Sequence, residues 1–399
     1  MRGTTAVEVG RFAAGPSCAA VLADWGAQVI KVEPLTGDPA RGAGEVGTAN
    51  PRFSLHNRSR RSIAVDLTSE AGKDAVHRLV GRSDVFVTNL RPVALTRLGI
   101  DVATLTGLND RLVYAQITGW GVDSELANDR SYDHGAFWSY AGLADAFADP
   151  GGVPAQPTGG MGDRSAGAML AGAVAAALLR RERTGRGGHV STSLLATGAW
   201  MIGSELSDAL TAPQVRRPRD RRHTAYPTIN CFRAADGRWL WLQMMFPHHH
   251  WSALLDALDA AWLDDDPRFR GGQRSLLASS SAEVVDALDE RFAAQPLAVW
   301  AQRLRERGIP FSPVLSVHDL PADHAAEASG LFIDLEDATG VGTRAVASPC
   351  RYHGTEIAQA SPAPLAGAHT YDILRELGYS QSDIDKFAAR GAVRSAETG

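Results

Sequence analysis

Apolar residues in the first third of the chain fall in short, near-continuous runs separated by amphipathic stretches, and each pattern predicts an element. Ala6–Val9 predicts a strand. Cys18, Val21, Leu22 and Trp25 share one face at i, i+3, i+4 and i+7. They predict a helix that Pro16 can open and Gly26 can close. Val29–Glu33 and Ser62–Leu67 predict two further strands. A helix with Ala71, Ala75, Val76, Leu79 and Val80 turned inward follows, then strands at Asp84–Thr88 and Leu112–Ile117. Strands alternating with single helices predict a parallel sheet with helices on its faces, the α/β class.

Ala166, Leu170, Ala173, Val174, Ala177 and Leu178 form a small-residue stripe that predicts a helix over 163–181. Arginines in its last turn and a glycine turn close it. His189–Leu194 predicts a strand and Leu195–Leu210 a helix. The texture changes after the Pro/Arg-rich stretch 213–222, which reads as a linker. Ile229–Arg233 and Arg238–Met244 flank Ala-Ala-Asp-Gly237 and predict a hairpin. Helices are expected near 248–259, 282–293 and 296–307, short strands at 331–336 and 343–347, and helix again over 370–390.

Composition narrows the class. Of the 399 residues, 44% are hydrophobic and 21% charged, a globular balance, and the net charge of −5 gives no reason to expect nucleic acid. No segment reaches the roughly 20 uninterrupted apolar residues of a membrane span. The N-terminal residues lack a signal peptide's apolar core, so a soluble cytoplasmic protein is the expectation. Cys18, Cys231 and Cys350 are too few and too scattered for a disulfide framework or a metal site. His248-His-His250 looks like a ligand cluster, but consecutive helical positions point apart, so no metal is expected. The basic run Val215–His223 reads as a solvated linker, with a phosphorylated ligand as the alternative.

Three segments could carry chemistry. In Gly159-Gly-Met-Gly-Asp163-Arg-Ser-Ala-Gly167, glycines crowd an aspartate at a helix mouth. Glycine admits close approach of a ligand, and free N–H groups there can hold the carboxyl ionised and stabilise an oxyanion. The same residue also reads as a plain helix N-cap. Val7–Pro16 is a strand–turn–helix without GxGxxG, so a dinucleotide fingerprint is absent. Tyr132-Asp133-His134 with Phe137 and Trp138 gathers a carboxylate, an imidazole and aromatics. His134 reads as an acid/base group or as a loop residue.

Several motifs occur in one order: Leu22–Pro34 with Gly37-Asp-Pro39, Arg60–Leu67, Asn89–Gly99, Gly162-Asp163 leading into its helix, and Arg183–Val190. Together they resemble the class III CoA transferases, the formyl-CoA transferase/carnitine CoA-transferase family, over nearly the whole chain. The resemblance implies a CoA transferase whose covalent nucleophile is Asp163, acting on an acyl-CoA and a small carboxylic acid without a metal. It implies coenzyme A contacts at Ala13, Ala14, Val65, Leu67, Asn89, Arg97, Arg130, Tyr132 and Asp133. Arg97 and Arg130 would serve the phosphates, and Asp133 would orient substrate or thiolate. It also implies a homodimer of interlocked rings. A Rossmann-like large domain would be made from both chain ends (1–212 and 319–399), with a linker at 213–224 and a small α+β domain inserted at 225–318.

Two departures shape the expectation. Racemases of the same superfamily place a His-Asp pair where this chain has Tyr132-Asp133. His134 stands two residues later, rotated by about 200° on a helix. That rotation disfavours racemisation, so an acyl-CoA racemase or isomerase stands behind the transferase as the alternative, together with a non-catalytic CoA-binding homologue. Ala13 replaces a polar residue of the formyl-CoA transferases, and Phe137 with Trp138 suggests a larger, more apolar acyl group.

Overall fold

The computed structural model describes residues 1–42, 50–149, 151–212, 220–336, 342–350, 353 and 360–396. Twelve strands occur among them: β1 (Thr5–Val9), β2 (Gln28–Glu33), β3 (Arg60–Val65), β4 (Val85–Thr88), β5 (Val113–Thr118), β6 (Gly188–Ser193), β7 (Ile229–Arg233), β8 (Trp239–Gln243), β9 (Phe311–Pro313), β10 (Phe332–Glu336), β11 (Gly342–Val346) and β12 (Val393–Arg394). The chain divides into two compact units. One comprises 1–147, 155–207 and 328–399, and the other 148–154 and 208–327.

The first unit is built on a seven-stranded sheet in the order β12-β3-β2-β1-β4-β5-β6. Every pairing is parallel except β12 on β3, which is antiparallel. β1, β2, β4 and β5 are buried on both sides because both sides are covered. Ala6, Val29, Val85, Val87, Val113 and Ala115 pack against the Ala14–Asp24 and Met161–Thr184 helices. Val7, Ile30, Ile63, Phe86 and Tyr114 pack against the Glu70–Gly81 helix and the C-terminal helices Thr370–Glu376 and Gln381–Ala389. The fold is thus α/β with a large parallel sheet. Progression along the sheet reverses between β1 and β4, and in such sheets the crevice at that switch point, beyond the strands' carboxyl ends, is where ligands bind.

Close approach of the two helices on one face depends on Gly167. A Cβ there would lie 2.6 Å from Ser17 Cβ and 3.0 Å from the Ala14 carbonyl oxygen. Charged residues inside the strands are the other notable feature. Lys31 reaches Glu8 at 3.0 Å and Asp38 at 2.9 Å, and Arg60 reaches Glu8 at 3.1 Å, all of them buried.

The second unit holds the antiparallel sheet β7-β8-β9. Gly237, at φ +81°, completes the hairpin turn. Phe232, Leu240 and Leu242 pack onto the Trp251–Ala257, Ser281–Phe292 and Leu297–Glu306 helices. Arg221 and Arg222, from the end of the basic run, pair with Asp289 and Asp286 at 2.7 and 2.5 Å. Residues 213–219 of that run and linker lie outside the described residues.

Several expectations need correction. The predicted helix 195–210 is two helices, Leu194–Met201 and Gly203–Thr211, because Ile202 leaves helical geometry at ψ 31°. The 370–390 helix is likewise two, parted around Gly378 at φ +92°. Near 248–259 the helix starts only at Trp251; Pro247–His249 is a single 3₁₀ turn with His248 and His249 exposed. Ala71 is only partly buried, and its neighbour Gly72 is buried instead. The connections from β2 to β3 and β4 to β5 carry the short helices Pro51–Asn57, Pro92–Leu98 and Val102–Leu108.

Candidate active site

The switch point is where the site forms. After β1 the chain turns through Gly10-Arg11-Phe12-Ala13, and after β4 it turns at Asn89. The Arg11 N–H donates to Asn89 Oδ1 at 2.9 Å, and Asn89 Nδ2 donates to the Arg11 carbonyl at 2.8 Å. One side chain therefore ties the two loops together. Gly10 leaves it room, since a Cβ there would lie 2.9 Å from Asn89 Oδ1 and 2.4 Å from Glu8 Oε1. On the other side the Phe12 N–H donates to Asp38 Oδ1 at 3.2 Å. Held from both directions, Phe12 takes φ +61°, which a bulky side chain adopts only where its surroundings impose it.

A cleft of about 360 Å³ opens here. Ala13, Ala14, Asn89, Arg97, Arg130 and Tyr132 line it, and so does Asp163. Val65 and Leu67 line a neighbouring hollow of about 330 Å³, and Arg11, Leu90, Arg97 and Leu98 border both. Of the predicted contact residues only Asp133 is missing from these walls. It is 4% exposed and lies beneath the site.

Asp133 acts there on backbone. Gly160 is the N-cap of the Met161–Thr184 helix, at φ +76° in the left-handed region, and no side-chain cap bond comes from Gly160 or from Asp163. The N-cap reading of Asp163 is therefore corrected: it sits in the first turn, at the third helical position. The cap comes from outside the helix, as Asp133 Oδ2 accepts the Gly160 N–H at 2.9 Å and Oδ1 accepts the Asp163 N–H at 3.0 Å. Asp133 opens an eight-residue π-helix, Asp133–Tyr140, a rare element frequent at functional sites. Gly162 lets the two segments meet, since a Cβ there would lie 2.1 Å from Phe137 Cγ and 2.5 Å from Asp133 Oδ1.

Burial, and secondarily the negative charge of Asp133, push the Asp163 carboxyl up to about 7, with Arg164 opposing. The expectation that the helix mouth keeps this group ionised is corrected: desolvation makes the carboxyl harder to ionise than an ordinary aspartate. The result is a carboxyl poised near neutrality in a cleft, which is the kind of group that active sites arrange.

Two further readings of this segment change. Phe137 and Trp138 are 1% and 8% exposed, packed in the core beside the Met161–Thr184 helix, so they cannot contact an acyl group in the cleft. His134 is exposed with its ring beside Gly159, and it is not among the residues lining the cleft. Sequence reasoning missed Phe12 and Arg11. The only signal was their place between strand and helix, since a positive φ on phenylalanine leaves no mark in the sequence. Among the described residues, no three or more His, Cys, Asp or Glu side chains gather closely enough for a metal, and no helix is long and apolar enough to cross a membrane.

Fold and site define an α/β enzyme with a ligand crevice at its switch point and a carboxyl group poised in that crevice. The chain matches CoA-transferase family III over residues 1–370 and belongs to that family. It is similar to (R)-2-hydroxy-4-methylpentanoate CoA-transferase of Clostridioides difficile, with 29% identity covering 99% of each chain. It is also similar to cinnamoyl-CoA:phenyllactate CoA-transferase of Clostridium sporogenes, with 28% identity over 96% of this chain and 95% of the relative. Among solved structures it resembles a CAIB/BAIF family protein from Brucella suis. That match has a TM-score of 0.81 and 27% identity, and covers 94% of this chain and 98% of the other. The protein is a class III CoA-transferase, an enzyme whose substrates are CoA thioesters.

Proposed function

We propose that this enzyme moves coenzyme A from an acyl-CoA donor to a carboxylic acid through covalent intermediates on Asp163. One observation carries the reading: Asp163 presents a carboxyl group to the cleft at the sheet's switch point, on a turn whose backbone is fixed from below by Asp133. The Asp163 carboxylate attacks the thioester carbonyl, the C–S bond breaks, and a mixed anhydride forms with release of CoA thiolate. The thiolate attacks the aspartyl carbonyl, expels the donor acid and leaves an enzyme–CoA thioester. The acceptor carboxylate attacks that thioester, giving a second anhydride and thiolate. Attack of the thiolate on the acyl carbonyl then yields the new acyl-CoA and free Asp163. Each anhydride must be kept from water.

In this reading Arg97 and Arg130 meet the phosphates of coenzyme A, and Ala13 and Ala14 allow the thioester arm to approach the turn after β1. Val65 and Leu67 serve the adjoining hollow. The named relatives transfer CoA between carboxylic acids, which supports an acid acceptor here. Racemisation is the weaker reading, since tyrosine stands at 132 and His134 faces Gly159 outside the cleft wall. The test is to incubate the enzyme with an exchanging acyl-CoA and hydroxylamine and map the modified peptide by mass spectrometry. A hydroxamate on Asp163 is expected. An unmodified Asp163 in an enzyme that does exchange CoA overturns the covalent route. Deuterium uptake at the α-carbon without any acceptor acid would favour racemisation instead.

A further inference from the structure

Two exposed aromatic rings stand in the cleft wall. Phe12 is 44% exposed and Tyr132 67%, and they meet edge to face at 5.9 Å with an interplanar angle of 81°. Both line the same cleft as Asp163. Phe12 precedes Ala13 and Ala14, and the Ala14 carbonyl abuts Gly167, one helical turn from Asp163 on the same face. Tyr132 directly precedes Asp133, which holds the Asp163 N–H. The chain holds a phenylalanine in left-handed backbone to achieve this. The position is fixed by the Asn89 tie on Arg11 and by Asp38, itself ion-paired to buried Lys31. Strain of this kind persists where the surroundings over-determine it, as at ligand clamps. Leu194, Ile117, Ala13 and Ala14 extend the apolar wall.

We propose that Phe12 and Tyr132 form an aromatic clamp that selects acyl groups ending in a bulky apolar or aromatic group over short ones. This rests on the reading of the cleft as a CoA-transfer site. The pair supplies an offset apolar surface for the acyl tail and keeps water from the carbonyl that reacts at Asp163. Loss of such a contact discriminates between substrates by roughly ten-fold or more.

The experiment uses self-exchange, which requires no knowledge of the natural pair. 3-Phenylpropanoyl-CoA is incubated with isotopically labelled 3-phenylpropanoate, and acetyl-CoA with labelled acetate, and label entering each thioester is followed. The wild type is expected to exchange the phenylpropanoyl group with a kcat/KM at least about ten-fold above acetyl. Phe12→Ala keeps the backbone strain and removes the ring, so the ratio should fall about ten-fold. Tyr132→Ala, at an exposed position, should lower it in the same direction and keeps the test decisive if Phe12→Ala does not fold. A wild type preferring acetyl, or variants that slow both donors equally, overturns the clamp while leaving the transferase reading intact. Equal slowing would place the rings against the shared CoA portion. Absence of exchange with every donor tried counts against the transferase reading itself.

Discussion

The Asp133 carboxylate accepts the backbone N–H of Asp163 at 3.0 Å with one oxygen and that of Gly160 at 2.9 Å with the other. A buried anion thus seats the turn that carries a second carboxyl, and its charge makes that second carboxyl harder to ionise. Asp133, which does not reach the cleft, thus fixes the position of Asp163 and adds to the burial that raises its carboxyl. Asp133→Asn separates the two effects. The amide oxygen can accept one N–H, but the Nδ2 group faces the other, at a cost on the order of 1–3 kcal/mol. We expect kcat to fall about ten-fold or more. The acid limb of kcat/KM, near pH 7 in the wild type, should move toward the ordinary carboxylate range. A variant that is slower with an unmoved limb would mean that Asp133 only supports the turn.

Asp163 itself should destabilise the fold when charged. Its folded-state value lies above the unfolded one, so the stability it contributes is fully present below the unfolded value of 3.8. That stability is lost as pH rises and is gone above about 7. Asp163→Asn mimics the neutral form at every pH. Its midpoint of thermal unfolding should exceed the wild type's by about 2–4 °C at pH 8, on a scale where ~1 kcal/mol moves a large domain by that much. The gap should close toward pH 4. A constant gap would show that the carboxyl is not desolvated in the folded protein. No CoA exchange should remain in this variant at any pH.

Gly162 is required for a steric reason rather than for backbone freedom. A methyl group there meets Phe137 Cγ at 2.1 Å and Asp133 Oδ1 at 2.5 Å, and Phe137 is fixed in the core. Gly162→Ala should cost about 1–3 kcal/mol by overpacking and should lower kcat by pushing the Asp133 cap off its N–H partners. Urea unfolding and steady-state kinetics read the two effects, and a fully active, fully stable variant would show that the helix mouth can yield.

How much of this was readable from the chain varies by residue. The sheet was legible because β1, β2, β4 and β5 are buried on both faces and therefore appear as apolar runs with nothing to imitate them. The short helices Pro51–Asn57 and Pro92–Leu98 left signals in Asn50-Pro51 and in Pro92 with Gly99. An Asn-Pro pair equally announces a turn, and seven residues give too little periodicity to decide. Asp163 was legible as chemistry but not as geometry. Its cap is donated from thirty residues upstream, and only tertiary structure brings Asp133 to it. Phe137 and Trp138 misled because aromatics beside a candidate site look like its wall. The π-helix turns them inward onto the Met161–Thr184 helix. The buried ions were visible as charged letters inside apolar strands, Glu8 in β1 and Lys31 in β2, but their partners were not.

That ionic cluster supports the last prediction. Lys31 bridges Glu8 and Asp38, Arg60 adds a second cation on Glu8, and Asp38 in turn accepts the Phe12 N–H. Removing one member strands a buried charge, which typically costs about 3–5 kcal/mol, whereas the intact set contributes little net stability. Among the described residues, Lys31→Met leaves Glu8 with Arg60 alone and Asp38 with no cation opposite, so it should lower stability by about that amount in urea unfolding. Loss of stability alone would not tie the cluster to the site. Asp38 is one of the two supports of the Phe12 turn, so the surviving folded enzyme should also show a raised KM for acyl-CoA at 10 °C, where it remains populated. An unchanged KM would mean that the Asn89 tie suffices to hold the turn and that the buried ions serve the sheet rather than the cleft.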